Sequence, residues 1–177
     1  MINDFNLENK PSTKVLKKYE DFLPEEIITL WKDNGFGTFM NGYFKIVNSE
    51  NYQDILQTTS RRYKDGVVLL ITAMGDLIIW ADGYVRILKY RFGRLSTLMP
   101  NFKFFFSSLE SNKFKDNYLK WQPYPEAVQK YGEPAYEECF GYVPLLGLGG
   151  PEKVENLQKA KLKEHILLIS EFMGPIE

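Results

Sequence analysis

The residues able to carry chemistry are few. The 177-residue chain has one histidine, His165, and one cysteine, Cys139. A thiol beside an imidazole can become a nucleophile, and the two need be neighbours only in space. Glu137 and Glu138 precede Cys139, however, and nearby negative charge raises a thiol pKa instead of lowering it. Cys139 is therefore expected to be a small core residue, and His165 a helix residue hydrogen-bonded near a sheet. One imidazole and one thiol need carboxylate co-ligands to hold zinc, and no carboxylate stands at ligand spacing to both. No metal is expected.

Gly147-Leu148-Gly149-Gly150 invites comparison with phosphate-binding loops. Neither the P-loop spacing nor the dinucleotide fingerprint is present. Pro151-Glu152 follows directly, which removes a backbone donor and adds a negative charge, so a strand-to-turn junction is the expected role. Glu25-Glu26, Glu137-Glu138, Asp76 and Asp82 are the candidate carboxylates. Asp76 and Asp82 fall in short turns, where aspartate is an ordinary former, and Glu25-Glu26 suits a helix start. Arg61-Arg62-Tyr63-Lys64 and Lys89-Tyr90-Arg91-Phe92-Gly93-Arg94 are the only stretches that interleave basic and aromatic residues as single-strand binders do. The chain around them is balanced in charge, so direct nucleic-acid binding is not expected. No catalytic residue and no cofactor site emerge, and the chain is read as a non-enzyme.

The totals agree with a binding role. The chain carries 22 basic and 23 acidic residues, a formal charge of −1, which is neither a nucleic-acid footprint nor an arm for anionic lipid. At this length a chain buries roughly 70% of its unfolded surface. Aromatics at 15% supply core volume and are also enriched among interface anchors. The single cysteine suits a reducing compartment. Met1 to Asn6 has neither a basic nor an apolar leader region. The longest apolar runs, Val67 to Ala73 and Ile166 to Ile169, are far shorter than the roughly 20 residues of a membrane helix. A cytoplasmic location with no membrane contact is expected.

The elements around these residues are read from periodicity. Ser12 or Thr13 caps a helix with Val15, Leu16, Tyr19, Phe22 and Leu23 on one stripe. Pro24 stops it and starts a second helix, with Ile27, Ile28 and Trp31 inward and Asn34-Gly35 at its end. The opening is thus expected to be a helical hairpin. Asn41-Gly42 marks a tight hairpin, and Asn51 to Thr58 a short helix. Val67–Ala73, Leu77–Trp80 and Tyr84–Tyr90 are joined by turns too short for crossovers, so they form an antiparallel meander. The first of these is expected to be buried on both faces and the third to lie nearer an edge. A helix over Phe102–Leu119 follows, with Phe104, Phe105, Phe106 and Leu109 inward. Trp121-Gln122-Pro123-Tyr124-Pro125 then interrupts it as a boundary between lobes. Ala127 to Tyr131 is a further helical turn, Phe140 to Leu148 is extended, and a terminal helix carries Leu162, Ile166, Ile169 and Met173 inward. The fold class is α+β: an N-terminal helical hairpin, a central antiparallel β-meander and C-terminal helices packed on the sheet.

Two stretches carry a resemblance. Phe22-Leu23-Pro24-Glu25-Glu26-Ile27-Ile28-Thr29-Leu30-Trp31 with Asn34-Gly35-Phe36-Gly37, then Gly42 to Asn48 and Tyr52, resembles the bacterial GAD-like domain. Cys139 to Gly150 with Val154-Glu155-Asn156-Leu157 and Glu164-His165 resembles the C-terminal domain of Tdi-type immunity proteins. The resemblance implies a GAD-like domain over 11–120 and a Tdi immunity C-terminal domain over 123–174, folded as one compact unit. It implies a cytosolic immunity protein that binds and silences a cognate type VI secretion effector, typically a DNase toxin. The chain also looks distantly like SMI1/KNR4-type proteins, which implies the alternative of a regulatory or scaffolding adaptor with a non-toxin protein partner. The resemblance transfers no catalytic residue. A mimic of DNA would be strongly acidic, which a charge of −1 does not fit. Glu133, Glu137 and Glu138, in a loop before a strand, are the candidate partner-binding residues.

Overall fold

The computed structural model describes residues 2–177; Met1, part of the leader reading, lies outside them. The chain opens on a strand, β1 (Asn6–Asn9), and not on a helix. Helices α1 (Thr13–Tyr19) and α2 (Glu25–Asp33) lie between it and β2 (Phe36–Phe39). Ser12 caps α1, its side chain accepting from the Val15 amide at 3.2 Å. Pro24 precedes α2, where its missing N–H leaves nothing unsatisfied. The predicted stripe of α1 stops at Tyr19. Phe22 lies beyond the helix and is 72% exposed.

Strands β3 (Phe44–Ile46), β4 (Val67–Thr72), β5 (Leu77–Ala81), β6 (Tyr84–Lys89) and β7 (Arg94–Met99) complete a seven-stranded antiparallel sheet. Its spatial order is its sequence order. The turn between β2 and β3 places Met40, Asn41 and Gly42 at positive φ, a geometry that Asn-Gly tolerates. β6 pairs with both β5 and β7, so the edges are β1 and β7, not β6. Helix α3 (Gln53–Thr59) joins β3 to β4.

Strands β3, β4 and β5 are buried on both faces, and successive side chains of a strand point to opposite sides. Ile78 of β5 and Val85 and Ile87 of β6 join one core, with Trp31, Tyr43, Phe105 and Tyr124. Leu77, Ile79 and Leu88 join the other, with Ile55, Leu56, Leu162 and Ile166. A register shift between Val68 and Leu70 inserts Leu69 as an extra residue. That shift puts Leu69 and Leu70 on the same side and accounts for the unbroken apolar run.

The expected helix over 102–119 is broken. A 3-10 turn (Phe102–Phe104), α4 (Phe105–Ser108), α5 (Asn112–Phe114) and a π-type turn (Lys115–Leu119) take its place. Phe105 is fully buried, whereas Phe104 is exposed. Pro123 and Pro125 do not break the chain, because both sit in the first turn of α6 (Pro123–Tyr131), where no intrahelical N–H is required. Strands β8 (Glu138–Tyr142) and β9 (Leu157–Lys161) form a separate antiparallel pair. α7 (Leu162–Met173) follows, with Leu162, His165, Ile166 and Ile169 buried. Met173, expected inward, is 46% exposed. Among the described residues no helix is long and apolar enough to cross a membrane.

Candidate functional site

One hollow lies where the 3-10 turn Tyr90–Phe92, the end of β8, the 145–147 segment and α7 meet. Its volume is about 410 Å³. Two glycines make the approach possible. A Cβ on Gly141 would run into the His165 ring, and one on Gly147 would run into the Met173 thioether. Without those atoms α7 can lie against β8 and the 145–147 segment. Tyr142, His165 and Arg91 give the hollow polar groups, while Phe92, Leu145, Leu146, Ile169 and Met173 give it apolar walls.

Arg91 is the most constrained of these residues. Its Nη2 donates to Asp76 Oδ2 at 3.1 Å and to the Leu119 carbonyl at 2.9 Å. The two side chains are only 4% and 0% exposed. Burial opposes the guanidinium charge, but Asp76 and Tyr43 more than offset it, and the Arg91 pKa is raised. Asp76 is thus half of a buried ion pair and not a solvated turn former. Thr72 shapes its turn, Oγ1 accepting from the amides of Met74 at 3.3 Å and Asp76 at 3.1 Å. Arg91 Nε and Nη1, the Tyr142 hydroxyl, Asp76 Oδ1 and the Tyr43 hydroxyl are buried without a hydrogen-bond partner.

His165 donates no identified hydrogen bond, and burial lowers its pKa below the ordinary imidazole value. Cys139 is fully buried in the neighbouring core. Both side chains flank Gly75, so the structure does bring them near one another. Burial pushes the Cys139 thiol up to about 12, against a smaller opposing pull from Lys45. At neutral pH the group is a protonated thiol, the reverse of an activated nucleophile. Among the described residues no group of three or more His, Cys, Asp or Glu is arranged to hold a metal.

The acidic loop lies elsewhere, beside β3. Lys45, fully buried, donates from Nζ to the Ala135 carbonyl at 2.7 Å. The Tyr136 hydroxyl donates to the Ile46 carbonyl at 2.7 Å. Together these bonds pin the 133–138 segment to the sheet. Glu133 and Glu137 are exposed, and Glu133 approaches Gly42. Glu138 is half-buried and accepts from the Ala135 amide at 3.0 Å. Burial drives the Lys45 pKa down to about 8, despite opposing pulls from Cys139, Glu138, Glu133 and Glu8.

The basic–aromatic stretches are partly taken up within the chain, while Arg62, Lys64 and Arg94 are exposed. Arg86 stands 4.2 Å over the Tyr63 ring, and Arg61 pairs with Glu177. Lys89 and Arg91 are buried, Lys89 donating to the Tyr118 carbonyl at 2.8 Å. The glycine run 147–150 forms no phosphate cradle; a Cβ on Gly150 would collide with the Pro144 carbonyl. What sequence reasoning missed is the joint: Arg91, Tyr142 and His165 lie far apart in sequence, and no local spacing announces their meeting.

The surface beside the hollow is apolar. Leu148, Leu168, Phe172 and Met173 are exposed, and Met173 lies against Gly147, so the end of α7 and the 145–148 turn are neighbours.

Two family models match the chain. Residues 2–92 match the model of the GAD-like domain, and residues 100–173 match that of the T6SS immunity protein Tdi1, C-terminal. No curated protein sequence matches significantly. The crystal structure of Atu4351 from Agrobacterium tumefaciens is similar with a TM-score of 0.72 at 15% identity, over 94% of this chain and 85% of that one. At that identity the likeness speaks for the fold alone, a mixed α+β architecture.

Proposed function

Since the chain belongs to the GAD-like domain family, with an immunity-protein match over the segment that follows, we propose that it is a cytoplasmic immunity protein. It binds and neutralises a cognate type VI secretion effector of the DNase class. The observation that carries this reading is the Tdi1 C-terminal match over residues 100–173. That span contains the 133–138 loop and the whole of α7.

The interface is assigned to the exposed end of α7 and the adjoining turn, with Leu148, Leu168, Phe172 and Met173 as apolar anchors. Large apolar side chains exposed together mark association surfaces more often than scattered ones. Glu133 and Glu137 form an acidic second contact suited to a basic nuclease surface, and Glu138 shapes their loop. Charge there favours encounter and register over raw affinity, which fits a chain of net charge −1. Residues 11–120 and 123–174 act as one compact unit.

Co-expression with a candidate type VI effector of the DNase class tests the reading. Cells survive, and the two proteins copurify. Death of cells that contain abundant folded chain, with no complex recovered, overturns it.

A further inference from the structure

We infer that the outer edge of β7 is a docking site for an extended, acidic segment of a partner protein, added as a further strand of the large sheet. This goes beyond the apolar interface assigned to α7 and does not depend on it. The two ends of the sheet are built differently. β1 is four residues long, breaks register between Leu7 and Asn9, and runs into Lys10-Pro11. Short length, irregular pairing and a nearby proline all blunt an edge. β7 is six residues long, and it pairs in unbroken register from Arg94 opposite Lys89 to Thr97 opposite Arg86. Its one irregularity, at Leu98, comes after that stretch. Among the described residues β6 is its only strand partner, and no other element runs alongside it. No backbone group of 94–97 bonds to described backbone outside that pairing. Arg94 and Thr97 are exposed, and Leu95 and Ser96 half-buried, so the strand is not roofed over. A free row of amides and carbonyls is a template for another strand, whose main chain gives affinity and whose side chains give selectivity.

Charge selects the occupant. Arg94 lies directly opposite Lys89, and like charges across a strand pair are unfavourable. Burial above all, and then Arg91, Lys120 and Arg94, lower the Lys89 pKa, with Asp76 pulling the other way. Asp76 is already taken by Arg91 at 3.1 Å. Among the described residues Arg94 has no ion-pair partner. Toward the other end of the stretch Arg86 Nη1 donates to Thr97 Oγ1 at 2.7 Å. Neither β6 nor β7 contains a carboxylate. A strand that sets carboxylates beside Arg94 relieves the repulsion, whereas one that brings lysines adds to it. A second copy of β7 fits less well, because it brings another Arg94 and no acid.

The probe is the peptide acetyl-Thr-Glu-Val-Glu-Val-Thr-amide, added to the isotope-labelled full chain while its backbone amide resonances are followed. The expected result is a saturable shift at millimolar peptide, centred on the amides of 94–98. The same peptide with lysine in place of both glutamates binds about fivefold more weakly, the size of one or two exposed ion pairs. With proline in place of the first valine, which removes a ladder donor, binding is lost. Arg94→Glu, at an exposed side chain with no ion pair to lose, reverses the order of the glutamate and lysine peptides. No saturable shift, shifts centred away from β7, equal affinity for the two peptides, or an unchanged order in Arg94→Glu overturns the site. So does a chain that sediments as a dimer with its β7 amides already protected, since a second copy then holds the edge. Failure to neutralise the toxin with peptide binding intact would count against the immunity reading and not against this one.

Discussion

Of the buried cations Lys45, Lys89 and Arg91, the first and the last are treated differently. Lys45 sits under the acidic loop with a backbone carbonyl as its partner and carboxylates only at longer range. Arg91 sits beside the hollow in a direct ion pair with Asp76 and keeps two donor nitrogens unused. An ammonium is a point charge that can lose its proton when buried; a guanidinium stays charged and must be answered. The lysine therefore ties a loop to a sheet. The arginine holds charge at the edge of a cavity.

Removing the answering charge is the most severe way to test that contrast. Asp76→Ala leaves Arg91 buried and unpaired, and chemical denaturation should show a loss of about 3–5 kcal/mol. Loss below about 1 kcal/mol would mean the pair is not buried as described. The matching change in the other region acts through pH. The Lys45 pKa falls from 10.5 in the unfolded chain to about 8 in the fold. Between those values the unfolded state holds a proton that the native state has released. Stability from this group therefore rises with pH across that window, and the penalty is fully present below the native pKa. Relative to Lys45→Met, the native chain should gain on the order of 2 kcal/mol between about pH 7.5 and 9.5. A flat difference would show that Lys45 is solvated or permanently paired.

The remaining predictions ask which region the partner reads. Phe172→Ala, beside the hollow, should weaken toxin binding by tenfold or more with an unchanged melting temperature, as truncating a central aromatic anchor does. The double change Glu133→Gln and Glu137→Gln should act less, slowing association a few-fold and flattening its salt dependence while dissociation stays the same. If the glutamates cost more than Phe172, the acidic loop is the anchor and the apolar helix end is peripheral.

The sequence revealed much of the frame and little of the joints. The turn at Asn41-Gly42, the Pro24 helix start and the β4–β6 meander follow local rules that each residue type obeys, so periodicity found them. β1 was missed because all four of its residues are exposed, leaving no alternation to read. β7 was missed because its first four residues are exposed or only half-buried, leaving no alternation to read. The helix over 102–119 failed because its five phenylalanines reach different places, and four short turns seat them better than one axis can. Asp76 was misread for a related reason. A turn aspartate and a buried ion-pair aspartate look alike until a residue fifteen positions away supplies the charge. Glu133 and Glu137 are in the loop that the sequence placed them in, but Glu138 opens β8, paired with Lys161, and accepts from the Ala135 amide.

The sequential strand order carries a consequence for synthesis. Every strand of the large sheet pairs with one just made, so a nascent chain can zip the sheet together as it leaves the ribosome, without waiting for distant partners. One face then stays only partly covered. Val68, Ile71, Leu77, Ile79 and Leu88 share a core with Ile55 and Leu56 of α3, already made, and with Leu162, Ile166 and Ile169 of α7, still to come, and the Ile176 amide closes the chain onto the Thr59 carbonyl at 2.9 Å. Translation halted before residue 157 would release a nearly complete sheet with that apolar face partly open to water, a species that chaperones and proteases would meet before any partner did.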